Sequence, residues 1–417
     1  MTPRVAVVYH SRRGTMRALA EAAAAGARAH GARVRLLRVA DDDEAGPAWP
    51  DEEARPEDVL WADGLVLASP TYFGNVSAPF KRFLDGTTKL WWDGLLTDRV
   101  VTGMTASTCP HGGREATLLT MYQSAHHWGA WTVGAGPAGP GDPADPAGPA
   151  RRGAGGNPYG LAVTALRDGG VAEHDRDAAW ELGRRLAGVA ARARSGGPPG
   201  PDAAARSRVT VVHCAEDETV RLLAQECAAG ARELGAEVRL RRLTGPGVRR
   251  ESGLPGRAGG APAAAAVDPA DVAWADSVVF GTPVRAGAVA APLLGFLQSL
   301  EPPAGPGPLA GKPASGFVST ARPHAGSESA LLSLHHVLHH CGAVVVPPGY
   351  TDPVVFEAGG NPYGTSHARS AGVLPTVQAL AAARHQGRRA ALAGDRLRGR
   401  PVPGAGLLDT PLEKELT

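Results

Sequence analysis

Val5-Ala6-Val7-Val8-Tyr9-His10-Ser11-Arg12-Arg13-Gly14-Thr15 decides the fold. Its first five residues form an apolar run, the signature of a strand buried on both faces. A short polar loop follows, and an amphipathic helix is predicted from Thr15 to His30. A strand passing straight into a helix is the opening of a βαβ unit. The same run returns as Val209-Thr210-Val211-Val212. His126-His127-Trp128-Gly129 returns as His339-His340-Cys341-Gly342, and Gly155-Gly156-Asn157-Pro158-Tyr159-Gly160 as Gly359-Gly360-Asn361-Pro362-Tyr363-Gly364. Three matches in one order are a duplication, so the copies can be compared with each other.

Downstream of the opening run, the first copy predicts strands at Arg33–Val39, Gly64–Ala68, Val100–Thr105 and Ala130–Val133. Helices are expected over Glu115–His127 and Asp175–Arg194. The second copy repeats this plan, with strands near Val209–His213, Glu237–Leu243, Ser277–Gly281, Ala314–Val318 and Ala343–Val346. Apolar strands alternating with helices imply a parallel sheet covered on both faces. The predicted domains are 1–195 and 208–395, with a Gly/Pro/Ala-rich linker at 196–207 and a weakly patterned tail at 396–417. Gly134–Gly155 and Gly245–Ala265 read as surface loops.

A net charge of +2 on 417 residues gives no field for nucleic acid. No apolar run approaches the roughly 20 residues of a membrane span, and the start shows no leader. The four cysteines form no CxxC, so reduced thiols and a cytoplasmic location are expected. The positive charge is nearly all arginine, and Ala, Gly and Pro abound, as in a GC-rich bacterial genome.

Ligands of open α/β sheets bind at the carboxyl ends of strands, where the first copy places three loops. Ser11-Arg12-Arg13-Gly14-Thr15, followed by Met16, lies at a helix N-terminus. It reads either as a simple N-cap or as an anion site with hydroxyl and guanidinium donors. Ser69-Pro70-Thr71-Tyr72-Phe73-Gly74-Asn75 reads as an ordinary βα turn or as a seat for a flat aromatic ligand. Ser107-Thr108-Cys109-Pro110-His111-Gly112-Gly113-Arg114-Glu115 lets backbone approach a ligand closely; Cys109 reads as a small spacer rather than a reactive thiol.

Together these loops resemble the WrbA-type NAD(P)H:quinone oxidoreductases of the flavodoxin-like superfamily. The resemblance spans the first copy and, with gaps, the second. It implies two fused flavodoxin-like α/β domains, each a doubly wound five-stranded parallel sheet. It further implies that Ser11, Arg12, Arg13, Gly14, Thr15 and Met16 hold an FMN phosphate. Pro70, Thr71, Tyr72, Phe73, Gly74, Asn75, Ser107, Thr108, Gly112 and Gly113 would flank its ring. Trp91, His127 and Tyr159 would line the acceptor pocket, with His127 a proton donor. The family usually has an aromatic where this chain has Arg13, and Arg where it has Tyr72.

The implied activity is two-electron, ping-pong transfer of hydride from NAD(P)H through FMN to a quinone-like aromatic. Alternatives are a tailoring enzyme of aromatic polyketide or other bacterial secondary metabolism, a one-electron carrier, and a flavin-free scaffold. Family tetramers imply that this doubled chain forms a homodimer.

Shifting by 204 (209 − 5) puts Ala215-Glu216-Asp217-Glu218 opposite Ser11-Arg12-Arg13-Gly14. Two like charges about 5 Å apart repel by about 3 kcal/mol at an effective dielectric of about 20, so three acids oppose a phosphate. Thr282-Pro283-Val284-Arg285-Ala286-Gly287-Ala288 lacks both aromatics and the Asn of the first copy's loop. One FMN per chain, in the first domain, is therefore expected. The motifs that the second copy keeps read either as fold maintenance or as residues shared with the first copy's flavin site. His335-His336-x-x-His339-His340 reads as a metal face or as interface histidines. No carboxylate completes a motif, and no metal is expected.

Overall fold

A computed structural model describes residues 2–41, 49–136, 157–195, 207–214, 217–244, 264–301, 306–368 and 374–398. They fall into two compact units that divide near residue 197. The proposed linker (but for Ser207), the tail beyond Arg398, Gly155-Gly156, Ala215 and Glu216 lie outside the described residues, as do most of the two Gly/Pro-rich loops.

The first unit runs β1 (Arg4–Tyr9), α1 (Thr15–Ala29), β2 (Arg33–Arg38), β3 (Glu52–Glu53), α2 (Asp58–Trp61), β4 (Gly64–Ala68), α3 (Ala78–Gly86), α4 (Thr88–Trp92), β5 (Val100–Ser107), α5 (Arg114–His127), β6 (Trp131–Val133), β7 (Leu161–Thr164) and α6 (Glu173–Ser195). Val5 to Tyr9 and Leu65 to Ala68 are wholly buried, as strands covered on both faces must be. Parallel pairing sets Val7 beside Leu36 and Val66, and Val66 beside Thr102. The order is therefore β2-β1-β4-β5, with β3 outside β2. This is the flavodoxin-like order, which reverses direction between β1 and β4.

The fifth strand differs from the single piece expected. β6 pairs with the start of β5 (Val100 beside Trp131), and β7 with its end (Met104 beside Leu161). Two short strands thus fill the position beside β5.

The second unit repeats the plan. β8 (Arg208–Cys214), β9 (Glu237–Leu243), β10 (Ala265–Ala266), β11 (Ser277–Arg285) and β13 (Pro313–Thr320) run in the order β10-β9-β8-β11-β13. β12 (Ala288–Val289) turns back on β11, and β14 (Val344–Val345) and β15 (Ser366–Ala368) split the fifth position as before. α7 (Glu218–Glu233) follows β8, and the closing helix Val377–Arg398 runs past residue 395.

The duplication extends to packing. A Cβ on Gly26 of α1 would stand 1.8 Å from the Trp180 carbonyl oxygen; one on Gly230 would stand 1.9 Å from that of Arg384. Each pair is 204 residues from its counterpart, so the first and last helices of both units cross backbone to backbone at a glycine. The Asn-Pro-Tyr-Gly that ends the copied hexapeptide makes matching contacts in both units. Asn157 and Asn361 each accept the N–H two residues on, from Tyr159 and Tyr363, at 2.9 and 3.1 Å. A Cβ on Gly160 would meet the Gly103 carbonyl oxygen at 2.4 Å, and one on Gly364 that of Gly316 at 2.2 Å. Both motifs press a turn onto the fourth strand. Among the described residues no helix is long and apolar enough to cross a membrane.

Candidate active site

The three loops leave adjacent strands. His10 N–H donates to the Ala68 carbonyl (2.9 Å) and Ser69 N–H to that of Met104 (3.1 Å). All three therefore open on one end of the sheet, at the switch point.

In the first loop, Gly14 takes φ +93 and caps α1, and no side chain caps the helix. A helix N-terminus carries unpaired N–H groups and about half a positive charge, and here no side-chain cap offsets them. Ser11 Oγ accepts Gly14 N–H at 3.1 Å and shapes the turn. Thr15 donates its hydroxyl to the Gly169 carbonyl at 2.7 Å. Met16 is buried in the core, which leaves its backbone N–H rather than its side chain for a ligand. The adjacent arginines differ. Arg13 is exposed, whereas Arg12 grips Asp41 with two bonds, Nε to Oδ2 at 2.7 Å and Nη2 to Oδ1 at 3.1 Å. His10 Nε2 lies 3.2 Å from the same carboxylate. The Arg12 hydrogen bonds, then the His10 contact, hold the Asp41 carboxyl well below the usual carboxylate range despite partial burial.

Trp49 completes this loop. Its indole N–H donates to the Ser11 carbonyl (3.0 Å). Its ring lies 3.5 Å from where a Gly14 Cβ would be, and the Arg17 guanidinium stacks over it at 5.1 Å. Arg17 is fixed in turn by Asp51, which also accepts the Tyr9 hydroxyl.

In the second loop, Tyr72 and Asn75 exchange backbone hydrogen bonds of 2.8 and 2.9 Å around Phe73 and Gly74. Phe73 takes φ +51 and Gly74 φ +78. A left-handed conformation costs a non-glycine residue about 1–2 kcal/mol. Here it turns Phe73 fully into solvent (104% exposed). A strained aromatic with no packing of its own is the residue in this loop most suited to a ligand. Thr71 is anchored by its N–H to the Ala106 carbonyl (3.0 Å) and by its hydroxyl to that of Thr117 (2.5 Å).

In the third loop, Gly113 caps α5 at φ +86. A Cβ on Gly113 would lie 2.8 Å from Gly74 Cα, so the second and third loops touch backbone to backbone. Gly112 packs on the Ser107 side chain. Arg114 ties the loop to β7 through the Ala162 carbonyl and Thr164 hydroxyl, both at 3.1 Å, and to the Pro110 carbonyl. Thr108 and Cys109 are exposed.

Of the expected pocket residues, the structure joins two. Trp91 donates its indole N–H to the His127 carbonyl at 2.9 Å, and His127 Nδ1 donates to the Gln123 carbonyl at 2.9 Å. Tyr159 is linked to a different point of α5, where the Tyr122 hydroxyl donates to its carbonyl. It packs with the core at 8% exposure. Burial, then the charge of Glu115, raises its phenol above the usual range. Sequence reasoning missed Asp41, Trp49 and Gly169. Only an isolated tryptophan in a Pro/Ala-rich stretch signalled any of them.

The second unit keeps the loop backbone and loses the side chains. Ala286 takes φ +50 where Phe73 takes +51, and a Cβ on Gly326 would lie 2.9 Å from Gly287 Cα. Thr282 accepts the Ala290 N–H as Ser69 accepts that of Ser77. His335 and His339 are buried. Among the described residues no group of three or more His, Cys, Asp and Glu is placed to hold a metal.

A family model described as NADPH-dependent FMN reductase matches the chain twice, at residues 3–140 and 208–352. An NAD(P)H dehydrogenase (quinone) of Deinococcus radiodurans is 36% identical over 175 residues, which cover 39% of this chain and 83% of that protein. One from Archaeoglobus fulgidus is 35% identical over 200 residues, covering 45% of this chain and 97% of that protein. The solved structure of a WrbA-like flavodoxin protein from Agrobacterium tumefaciens aligns over its full length with 46% of this chain, at 24% identity and a TM-score of 0.34.

Proposed function

The chain belongs to the NADPH-dependent FMN reductase family, with two tandem copies of a flavodoxin-like domain, and on that premise we propose that its first unit holds one FMN and reduces a quinone-like aromatic at the expense of NAD(P)H. The observation that carries the reading is the open start of α1, where Gly14 turns the chain and no side chain caps the helix. The residues fit the cofactor. Backbone N–H groups of residues 12, 13, 15 and 16, with Arg13 beside them, would hold a phosphate. The touching loops at Gly74 and Gly113, with Thr71, Phe73 and Asn75, would hold the ring.

Bound FMN supplies hydride transfer between nicotinamide and acceptor. The chain's own part is to bind, orient and deliver protons. Trp91 and His127, joined by a hydrogen bond, would flank the acceptor, and the His127 ring would pass a proton to its reduced oxygen. The same reading expects a cytoplasmic homodimer.

The test is cofactor content with turnover. Denatured protein should release one FMN per chain, and the loaded protein should oxidise NAD(P)H with benzoquinone. Two FMN per chain would place one in the second unit as well; none would leave a flavin-free scaffold.

A further inference from the structure

We infer that in the second unit the Asp217 carboxylate occupies the anion position that the first unit leaves to a ligand, so that this unit excludes phosphorylated ligands by being already filled. The inference rests on reading loop 11–15 as a phosphate loop.

α1 and α7 are equivalent helices, since Gly26 and Gly230 make the same crossing contact at a spacing of 204. Their caps differ in kind. Gly14 caps α1 without a side chain. Asp217 caps α7 with its carboxylate, accepting Val220 N–H at 3.1 Å on Oδ1. Its other oxygen accepts the Ser319 hydroxyl at 2.6 Å, and the residue is fully buried.

The acid did not arrive alone. Pairing of β5 with β7, and of β13 with β15, gives Ser319 and His367 the positions in the second unit that Ala106 and Val163 hold in the first. Where the first unit has Arg13, Ala106 and Val163, the second has Asp217, Ser319 and His367. Asp217 acts on His367 electrostatically, opposing the downward push of burial on that imidazole. A donor and a titratable ring thus surround the buried acid. Ser319 gives its hydrogen bond to the carboxylate, so the three do not form a hydrolytic relay. Glu218, the next acid, faces away in an ion pair with Arg221.

The ring cradle remains, because Gly326 and Gly287 touch as Gly113 and Gly74 do. Exclusion therefore lies in the filled helix N-terminus and the missing side chains, not in a lost backbone.

The test uses the full chain saturated with FMN, so that the first loop is occupied. In Asp217→Ala the second unit should melt lower. Millimolar inorganic phosphate should then raise its Tm by about 2–4 °C, the size of about 1 kcal/mol of linkage in a domain this large. Chloride at equal ionic strength should not, and the wild-type chain should show no phosphate-specific shift. Asp217→Ser keeps a capping oxygen and should give the same gain if the alanine variant does not fold. Phosphate shifting wild type and variants alike, or shifting neither variant, overturns the inference. Failure of the first unit to take up FMN is a separate outcome and overturns the underlying reading instead.

Discussion

The Cβ that Gly113 lacks would stand 2.8 Å from Gly74 Cα, closer than side chains approach backbone. Two loops from different strands are thereby held at a spacing that only glycine permits. Gly113→Ala should strain a left-handed cap by about 1–2 kcal/mol and push the loops apart. FMN affinity, read by quenching of flavin fluorescence, should fall. Gly326→Ala makes the same contact with Gly287 at 2.9 Å; it should lower stability to a similar extent and leave FMN affinity unchanged. Equal FMN loss in both variants would contradict the assignment of the flavin to the first unit.

On the proposed reading, Asp41 and the FMN phosphate would compete for the Arg12 guanidinium. Asp41→Asn should release Arg12 from this ion pair and tighten FMN by about two- to fivefold, the scale of an exposed ion pair. Riboflavin, which has no phosphate, should bind as before, and Arg12→Ala should cancel the gain. The Asp41 carboxyl is held below its unfolded value, so its contribution to stability is present above about pH 4. That contribution is lost as pH falls through the folded value. The stability difference between wild type and Asp41→Asn should accordingly hold steady above pH 4 and shrink in stronger acid.

Phe73 touches solvent rather than core. Phe73→Ala should leave stability within about 0.5 kcal/mol, yet weaken FMN by about three- to tenfold through loss of an aromatic contact. Thermal melting and FMN titration on the same variant separate the two effects. An unchanged dissociation constant would remove Phe73 from the ring site.

Much of this fold was legible in single segments. Val5–Tyr9 and Gly64–Ala68 announce buried strands because every residue in them is apolar or small. The first loop was legible because a helix start must leave N–H groups open. The contacts that finish the site were not. Asp41, Trp49 and Gly169 reach the loop from 29, 38 and 154 residues away along the chain, and no local pattern encodes such meetings. Arg12 and Arg13 look alike in sequence; only the fold shows that Asp41 takes one of them. The divided fifth strand escaped notice because four residues, Leu161–Thr164, carry too little periodicity beside a Gly/Pro-rich stretch. The acids of the second copy read as a repelling patch, whereas Asp217 is a buried cap.

His335 is wholly buried on the helix Ser327–His340. Burial, then the neighbouring His336, pushes its imidazole down to about 3. The folded value lies below the unfolded value of about 6.5, so the neutral ring stabilises the fold above that pH. Between about 6.5 and 3 the unfolded chain binds the extra proton. Stability should drop there by up to about 1.4 kcal/mol per pH unit. His335→Leu should flatten this limb in urea unfolding of the second unit followed against pH. A slope that survives the substitution would assign the limb to another group.

His127 commits one ring nitrogen to its own helix. Its Nδ1 lies 2.9 Å from the Gln123 carbonyl, which can only accept, so Nδ1 donates there and Nε2 is the nitrogen that would serve the acceptor. His127→Ala should slow acceptor reduction by about 100-fold, the lower range for a lost general acid. Hydride transfer from NAD(P)H, which needs no such proton, should be unchanged. Trp91 donates to the His127 carbonyl and acts through position alone, so Trp91→Phe should lower the rate less. Stopped-flow traces of the two half-reactions distinguish these outcomes. Acceptor reduction at the wild-type rate in His127→Ala would show that the proton comes from elsewhere.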